Sequence, residues 1–334
     1  MEYEVKKKTL LLDQNGHLTK KGYATKMNFI YNRGNVKSFP LKLKEWNFYQ
    51  FIKDHYSLQL TLGHVSYMCS VAATLINLDT GEKYELGTMK PLYVPNLDKN
   101  PEEASFNEFM GKDFYLYFQV ADKKRMLYVK GSNKKYKHVE IKIVMENDLD
   151  NEKMVIATPF DKPEQFYLNY KENYYRGTGT VQFDDLVVDF DGCTGLIDWG
   201  RGVWPYSHEW FWGNLTGHID EEPFGFNIGW GFGDLSHATE NMYFYKKKAY
   251  KVGELLVERN EKDYMKPWKL RDKENKIQMT FTPIYDNYTQ NKYVVIDTHC
   301  DQVYGYFDGV IETEDGPKEF THVLAFIEHA VNRW

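Results

Sequence analysis

The stretch GFNIGWGFGD, residues 225–234, places glycine at four of its five odd positions and a large apolar side chain at its first four even ones. Successive side chains of a strand point to opposite faces. Phe226, Ile228, Trp230 and Phe232 therefore share one side, and Gly225, Asn227, Gly229, Gly231 and Gly233 the other. A strand that keeps one face bare has a ligand or a neighbouring backbone pressed against it, or bends sharply at a barrel corner. The same period recurs along the chain, as in HVSYMCSVAATLINL from residue 64, FYLYFQVADKKRMLYVKG from 114, GTVQFDDLVVDF from 179 and QVYGYFDGVIETEDGPKEFTHVLAFIEHA from 302. Asp79-Thr80-Gly81, Asp308-Gly309 and Asp315-Gly316 read as hairpin turns between such runs. Helix and strand compete only in KEWNFYQFIKDHYSLQL, from residue 44, and PNLDKNPEEASFNEFMGKD, from 95, reads as loop with a helical turn.

Aromatic residues make up 16% of the 334 residues, and long amphipathic helical patterns are scarce, so the expected class is all-β. The length suits two domains. The tryptophan-rich run DWGRGVWPYSHEWFWGN, from residue 198, breaks the hairpin rhythm and places the boundary near residue 205, giving domains 1–205 and 206–334.

A formal net charge of −6 argues against a duplex nucleic-acid partner. The lysine runs at 6–8, 134–137 and 246–248 read as solvated turns or guards of strand edges. The start, MEYEVKKKTLLLDQNGHL, lacks a signal peptide's apolar core, and no run of about 18 uncharged apolar residues occurs; the expectation is a soluble cytoplasmic protein without an integral membrane segment. Cys69, Cys193 and Cys300 are spaced for neither a disulfide framework nor zinc. His208, Glu209 and His218, or His299-Cys300-Asp301, match no recognised metal spacing. The glycines at 229, 231 and 233 do not follow GxGxxG, and no GxSxG elbow occurs. No metal or cofactor is expected.

Five of the eight tryptophans, Trp199, Trp204, Trp210, Trp212 and Trp230, fall between Asp198 and Asp234, with Arg201, His208, Asn214 and Asn227 interleaved. Apolar walls with sparse polar groups suit a pocket for a bulky hydrophobic ligand; a core cluster where two domains meet is the competing reading. Asp198 and Arg201 read as a buried ion pair. A carboxyl surrounded by tryptophan would instead stay protonated as a general acid, with Tyr206 or His208 assisting and the indole faces stabilising a developing carbocation. An Asp198 held ionised by Arg201 cannot donate a proton, so the pair itself favours a carrier.

The segments LLDQNGHLTKKGYA from residue 11, KEWNFY from 44, DWGRGVWPY from 198, GFNIGWGFGD from 225, ATENMYFY from 238, PW at 267, QVYGYFDG from 302 and the terminal EHAVNRW together resemble the family called domain of unknown function 2804. That family is similar in turn to the AttH and carotenoid 1,2-hydratase proteins. The resemblance implies two lipocalin-like antiparallel β-barrels packed together, in a group where some relatives hydrate carotenoid alkenes and others catalyse cycloadditions on polyenes. GLIDWGRG resembles the wider group's Gly-x-x-Trp-x-Asp-His-Glu-Trp segment, with Asp198 at the aspartate and Trp210 and Trp212 at the Trp-x-Trp pair. Trp199, Gly200 and Arg201 stand where that group has His-Glu-Trp.

The reading that results is a protein holding a polyene-, isoprenoid- or lipid-like molecule between two barrels, in a carrier or sequestering role. The residues expected around it are Arg201, Trp204, Trp210, Trp212, Asn227, Trp230 and Asn241. The alternatives are an acid-initiated hydratase, isomerase or cyclase using Asp198, and a structural or chaperone-like interaction protein.

Overall fold

Burial alternates along strands such as Phe114–Ala121, Val139–Glu146 and Trp268–Asp272, whereas Met154–Pro159, Cys193–Val203 and the centre of Glu222–Trp230 are buried at nearly every position. No α-helix occurs among the residues described by this computed structural model, 2–146, 150–292 and 296–334; the helical turns there are the short 3-10 segments Arg33–Asn35 and Pro40–Lys42. No helix among them is long and apolar enough to cross a membrane.

Apart from a parallel pair of Thr9–Leu10 with Phe29–Ile30, the strands form two curled antiparallel sheets, a lipocalin-like arrangement in each half. The first runs from Lys83–Pro91 through Met68–Asn77, Tyr56–His64, Leu43–Lys53, Cys193–Val203, Phe166–Phe183, Val139–Glu146, Lys124–Gly131 and Phe114–Ala121 to Ser105–Met110. The second runs from Lys248–Lys251 through Met242–Tyr245, Glu222–Trp230, Ser207–Ile219, Gly316–Arg333, Asp297–Thr313, Ile277–Lys292 and Trp268–Asp272 to Leu255–Glu258. The chain crosses from one sheet to the other through Trp204, Pro205 and Tyr206.

Each sheet turns one parity of residue onto its own core. In the first, Tyr49, Phe51, Leu58, Leu60, Ile197, Trp199 and Leu168 pack together. In the second, Phe211, Leu215, Phe226, Ile228, Phe307 and Ile327 do so. The opposite parity carries the contact between the halves. Leu196 and Ile76 meet Trp212, Tyr304 and Phe326; Met154 and Ile156 meet Met242 and Phe244; Tyr167 and Trp204 meet Phe232.

This division explains the bare face of residues 225–230. Phe226 and Ile228 belong to the second core, with Trp230 packed against it, while Gly225, Asn227 and Gly229 face the first sheet. A Cβ on Gly225 would lie 3.1 Å from Asn173 Nδ2, and one on Gly229 would lie 2.6 Å from the Glu240 carboxyl. The alternation stops at Trp230, where the strand ends. Gly231 and Gly233, at φ +87° and +76°, turn the chain so that Phe232 joins the contact between the halves.

Three local expectations resolve differently from a sequence reading or are decided by pairing. KEWNFYQFIKDHYSLQL forms a hairpin, Leu43–Lys53 with Tyr56–His64, because its odd and even residues serve different faces. The stretch from 95 to 113 is loop with one hydrogen-bonded turn at 101–102, followed by the strand Ser105–Met110, which pairs with Phe114–Ala121. Asp308-Gly309 is not a turn but a bulge inside Asp297–Thr313, where a Cβ on Gly309 would lie 2.4 Å from the Gln278 carbonyl oxygen.

Candidate functional site

A cavity of about 380 Å³ opens between the outward faces of the two sheets, outside both cores. Trp46, Phe48, Tyr167 and Trp204 wall it from the first half, and Trp210, Trp212, Phe232 and Trp334 from the second. The glycines of DWGRG make room for these rings. Gly200 shares the outward face with Asp198, and a Cβ there would lie 2.1 Å from Trp46 Cζ2. Trp46 uses the space to stack on Tyr167 at 5.8 Å and to meet Trp204 edge-on at 5.5 Å.

Asp198 projects into this cavity, 8% exposed, with Asn169 Nδ2 donating to its Oδ1 at 2.5 Å. Burial raises its pKa above the usual aspartate value; the Lys171 charge and the Asn169 hydrogen bond oppose that, and the Glu240 charge adds to it. Lys171 Nζ is 2.5 Å from Glu240 Oε2 and lies over the Trp212 ring at 4.6 Å. Asn227 holds this group together: it accepts from Trp212 Nε1 at 2.7 Å and donates to Glu240 Oε2 at 3.2 Å and to the Glu240 carbonyl at 2.9 Å.

A second carboxyl faces the same space. Trp210 Nε1 donates to Glu328 Oε1 at 2.8 Å. Burial, reinforced by the charge of Asp198, pushes the Glu328 carboxyl up to about 7. On the wall, buried His64 Nε2 and Asn287 Oδ1 have no hydrogen-bond partner, nor does Trp334 Nε1.

The expected pair of Asp198 and Arg201 does not form. Three residues apart on one strand, their side chains lie on opposite faces. Arg201 points into the first half, where its Nη2 is 2.8 Å from Asp98 Oδ1, its Nε is 3.8 Å from Glu45 Oε1, and its guanidinium lies over Trp199 at 3.9 Å.

Of the other expected residues, Trp204, Trp210 and Trp212 line the cavity. His208 sits behind that wall, accepting from Trp204 Nε1 at 3.2 Å and stacked on Trp210 at 5.7 Å. Burial drives its pKa down to about 4, which keeps the ring neutral. Tyr206 is 51% exposed. Trp230 stacks on Phe211 at 4.8 Å on the side of the sheet away from the cavity. Asn241 accepts from the Gly229 N–H at 2.8 Å and donates to the Gly253 carbonyl at 2.9 Å, fixing the backbone beside the site.

Glu328, Glu240, Lys171 and His64 were not singled out in the sequence. Glu328 opens the EHAVNRW segment and Glu240 lies in ATENMYFY, so the motifs contained them, but nothing local ties either residue to Asp198. Among the described residues no group of three His, Cys, Asp or Glu is placed to hold a metal ion.

Residues 2–334 match the family described as domain of unknown function (DUF2804), and the chain belongs to that family. No curated protein matches it in sequence. Its structure is similar to that of kievitone hydratase from Nectria haematococca, with a TM-score of 0.55 and 13% identity over 96% of this chain and 98% of that one. An AttH-type protein from Nitrosomonas europaea aligns over 90% of this chain and 98% of its own, with a TM-score of 0.47 and 8% identity. At 13% identity the likeness to kievitone hydratase is one of fold.

Proposed function

We propose that this member of the DUF2804 family binds a bulky hydrophobic molecule carrying a carbon–carbon double bond in the cavity between its two sheets, and adds water across that bond. One observation carries the reading. Two buried carboxyls of raised proton affinity, Asp198 and Glu328, face a single aromatic cavity, and the arginine that would have held Asp198 ionised points the other way. The fold shared with a protein named as a hydratase agrees with it.

The environments of the two carboxyls divide the work. Glu328 titrates near neutrality, where a general acid is most effective. Asp198 accepts from Asn169 and feels the Lys171 charge, both of which favour its ionised form. Protonated Glu328 gives its proton to one alkene carbon, leaving a carbocation on the other. The Trp46 ring on the cavity wall stabilises that cation. Water adds to it, its surplus proton passes to Asp198, and proton return from Asp198 to Glu328 restores the site. The net change is alkene plus water to alcohol.

The test uses prenylated phenols and polyene alcohols as probes, with conversion followed by mass spectrometry in ¹⁸O-labelled water. Addition of one labelled water by the wild type, with Glu328→Gln and Asp198→Asn each reducing turnover by about 10²–10⁴-fold at unchanged affinity, is the expected result. Tight binding without conversion by the wild type would leave a carrier. Full turnover in both variants would remove the carboxyls from the chemistry.

A further inference from the structure

One end of the first sheet carries a cluster of exposed apolar side chains beside the cavity. Strand Leu43–Lys53 begins there and Tyr56–His64 ends there, with Glu45 opposite His64; Met68 pairs with Pro91 at the same end. The connecting turn ties the flanking segments together. Ser66 Oγ donates to the Leu43 carbonyl, and the Leu92 N–H donates to the Tyr67 carbonyl at 2.9 Å. Around this turn Phe39 is 63% exposed, Leu41 46%, Met89 51%, Leu92 78% and Val94 55%. Val65, in the same turn, lines the cavity.

Two features separate this cluster from scattered surface leucines. Leu92 has φ +56°, a left-handed conformation that a leucine rarely adopts and that holds its side chain outward at a local cost. The flanking segments, 33–44 and 86–97, contain no aspartate or glutamate, and Lys37, Lys42 and Lys90 are exposed within them, although the whole chain is acidic. Asp161 and Glu164 belong to the loop that precedes Phe166, on the far side of Val203, with Lys162 between them.

We infer that this end of the first sheet docks on the surface of an anionic lipid bilayer, with Leu92, Phe39 and Leu41 entering the headgroup–acyl boundary and the three lysines meeting the lipid charge. Apolar side chains of this kind gain by leaving water, and each lysine near an anionic surface adds attraction that salt screens. Docked so, the protein presents the turn beside its cavity to the phase where hydrophobic molecules dissolve. The inference goes beyond the hydration reading and does not require it.

The test is sedimentation of the full chain, without added ligand, with vesicles of phosphatidylcholine alone or with about 30% phosphatidylserine. The expected result is binding to the anionic vesicles, at least about tenfold weaker binding to the neutral ones, and release by added salt. Leu92→Gly suits the left-handed backbone, so it keeps the fold while weakening vesicle binding by roughly tenfold or more. Lys42→Ala with Lys90→Ala weakens it by roughly 30-fold. Absence of binding to anionic vesicles overturns the inference, as does binding that neither variant changes. A self-associating protein that Leu92→Gly converts to monomer, with no vesicle binding, would assign the patch to a second copy and overturn it as well. Because the readout is lipid binding alone, a failure of the hydration test leaves it standing, and the reverse holds.

Discussion

Asp198 and Arg201 stand at an odd separation on one strand, so the carboxyl enters the cavity while the guanidinium enters the first core. Arg201→Ala therefore takes the cation from Asp98, not from Asp198, while Glu45 keeps Arg33 at 3.4 Å, and it should destabilise the fold by roughly 3–5 kcal/mol. In double-mutant cycles read from urea midpoints, Arg201 and Asp98 should be strongly non-additive and Arg201 and Asp198 nearly additive; the reverse pattern would contradict the assigned partners. Glu328 makes a second prediction. Its pKa is raised from an ordinary 4.5 to about 7, so folding favours its protonated form. The stability it contributes is complete below about pH 4.5 and is lost as the pH climbs through 7, a difference of roughly 3 kcal/mol. Urea unfolding at pH 5 and pH 8 should show that loss in the wild type and much less of it in Glu328→Gln. Of the site, the tryptophans and Asp198 were legible from local composition. Glu328 was not, because its nearness to Asp198 is made by two sheets meeting and leaves no mark in either segment.

The strand Glu222–Trp230 shows what an element can and cannot reveal of its surroundings. Its period of two identified it as a strand and named the residues that share each face. What presses on the bare face is set by other parts of the chain: Asn173, at the irregularity between Glu172 and Tyr175, and Glu240. Gly229→Val would drive the Glu240 carboxyl from its 2.5 Å contact with Lys171. It should lower both stability and affinity for a cavity ligand. Gly231→Ala meets nothing closer than 3.7 Å and should cost only the left-handed backbone penalty of about 1 kcal/mol. Thermal melts and ligand titrations of the two variants separate these outcomes, and equal behaviour would show that Glu240 is not held as described. The same limit explains Asp308-Gly309. The dipeptide is suited to a turn, but the long pairing of Asp297–Thr313 with both its neighbours overrides that local preference.

At the scale of the molecule, the halves are joined by buried polar contacts as well as by apolar ones. The Tyr304 hydroxyl accepts from Gln50 Nε2 at 3.0 Å and Gln59 Nε2 at 2.8 Å, and lies 2.9 Å from Ser57 Oγ, linking the second sheet to two strands of the first. The turn at Asp79-Thr80-Gly81 docks too, Tyr285 donating to the Gly81 carbonyl at 3.3 Å. Tyr304→Phe removes these bonds but leaves Gln50 Nε2 donating to Ser57 Oγ at 3.1 Å and Gln59 Nε2 donating to Gln302 Oε1 at 2.6 Å, so it should cost about 1 kcal/mol. Calorimetry should show one unfolding transition for the wild type and a broadened or split one for the variant, whereas identical transitions would mean the hydroxyl does not couple the halves. The assignment of opposite parities to the two jobs has a longer reach. Phe48 and Trp46 meet the cavity, while Tyr49 and Phe51, on the same strand, hold the first core. A mutation in the first set alters the cavity wall and the contact between the halves, and leaves the core within each half in place. On the proposed function, a lineage of such chains changes its small molecule through outward-facing substitutions while each half keeps the core it folds around.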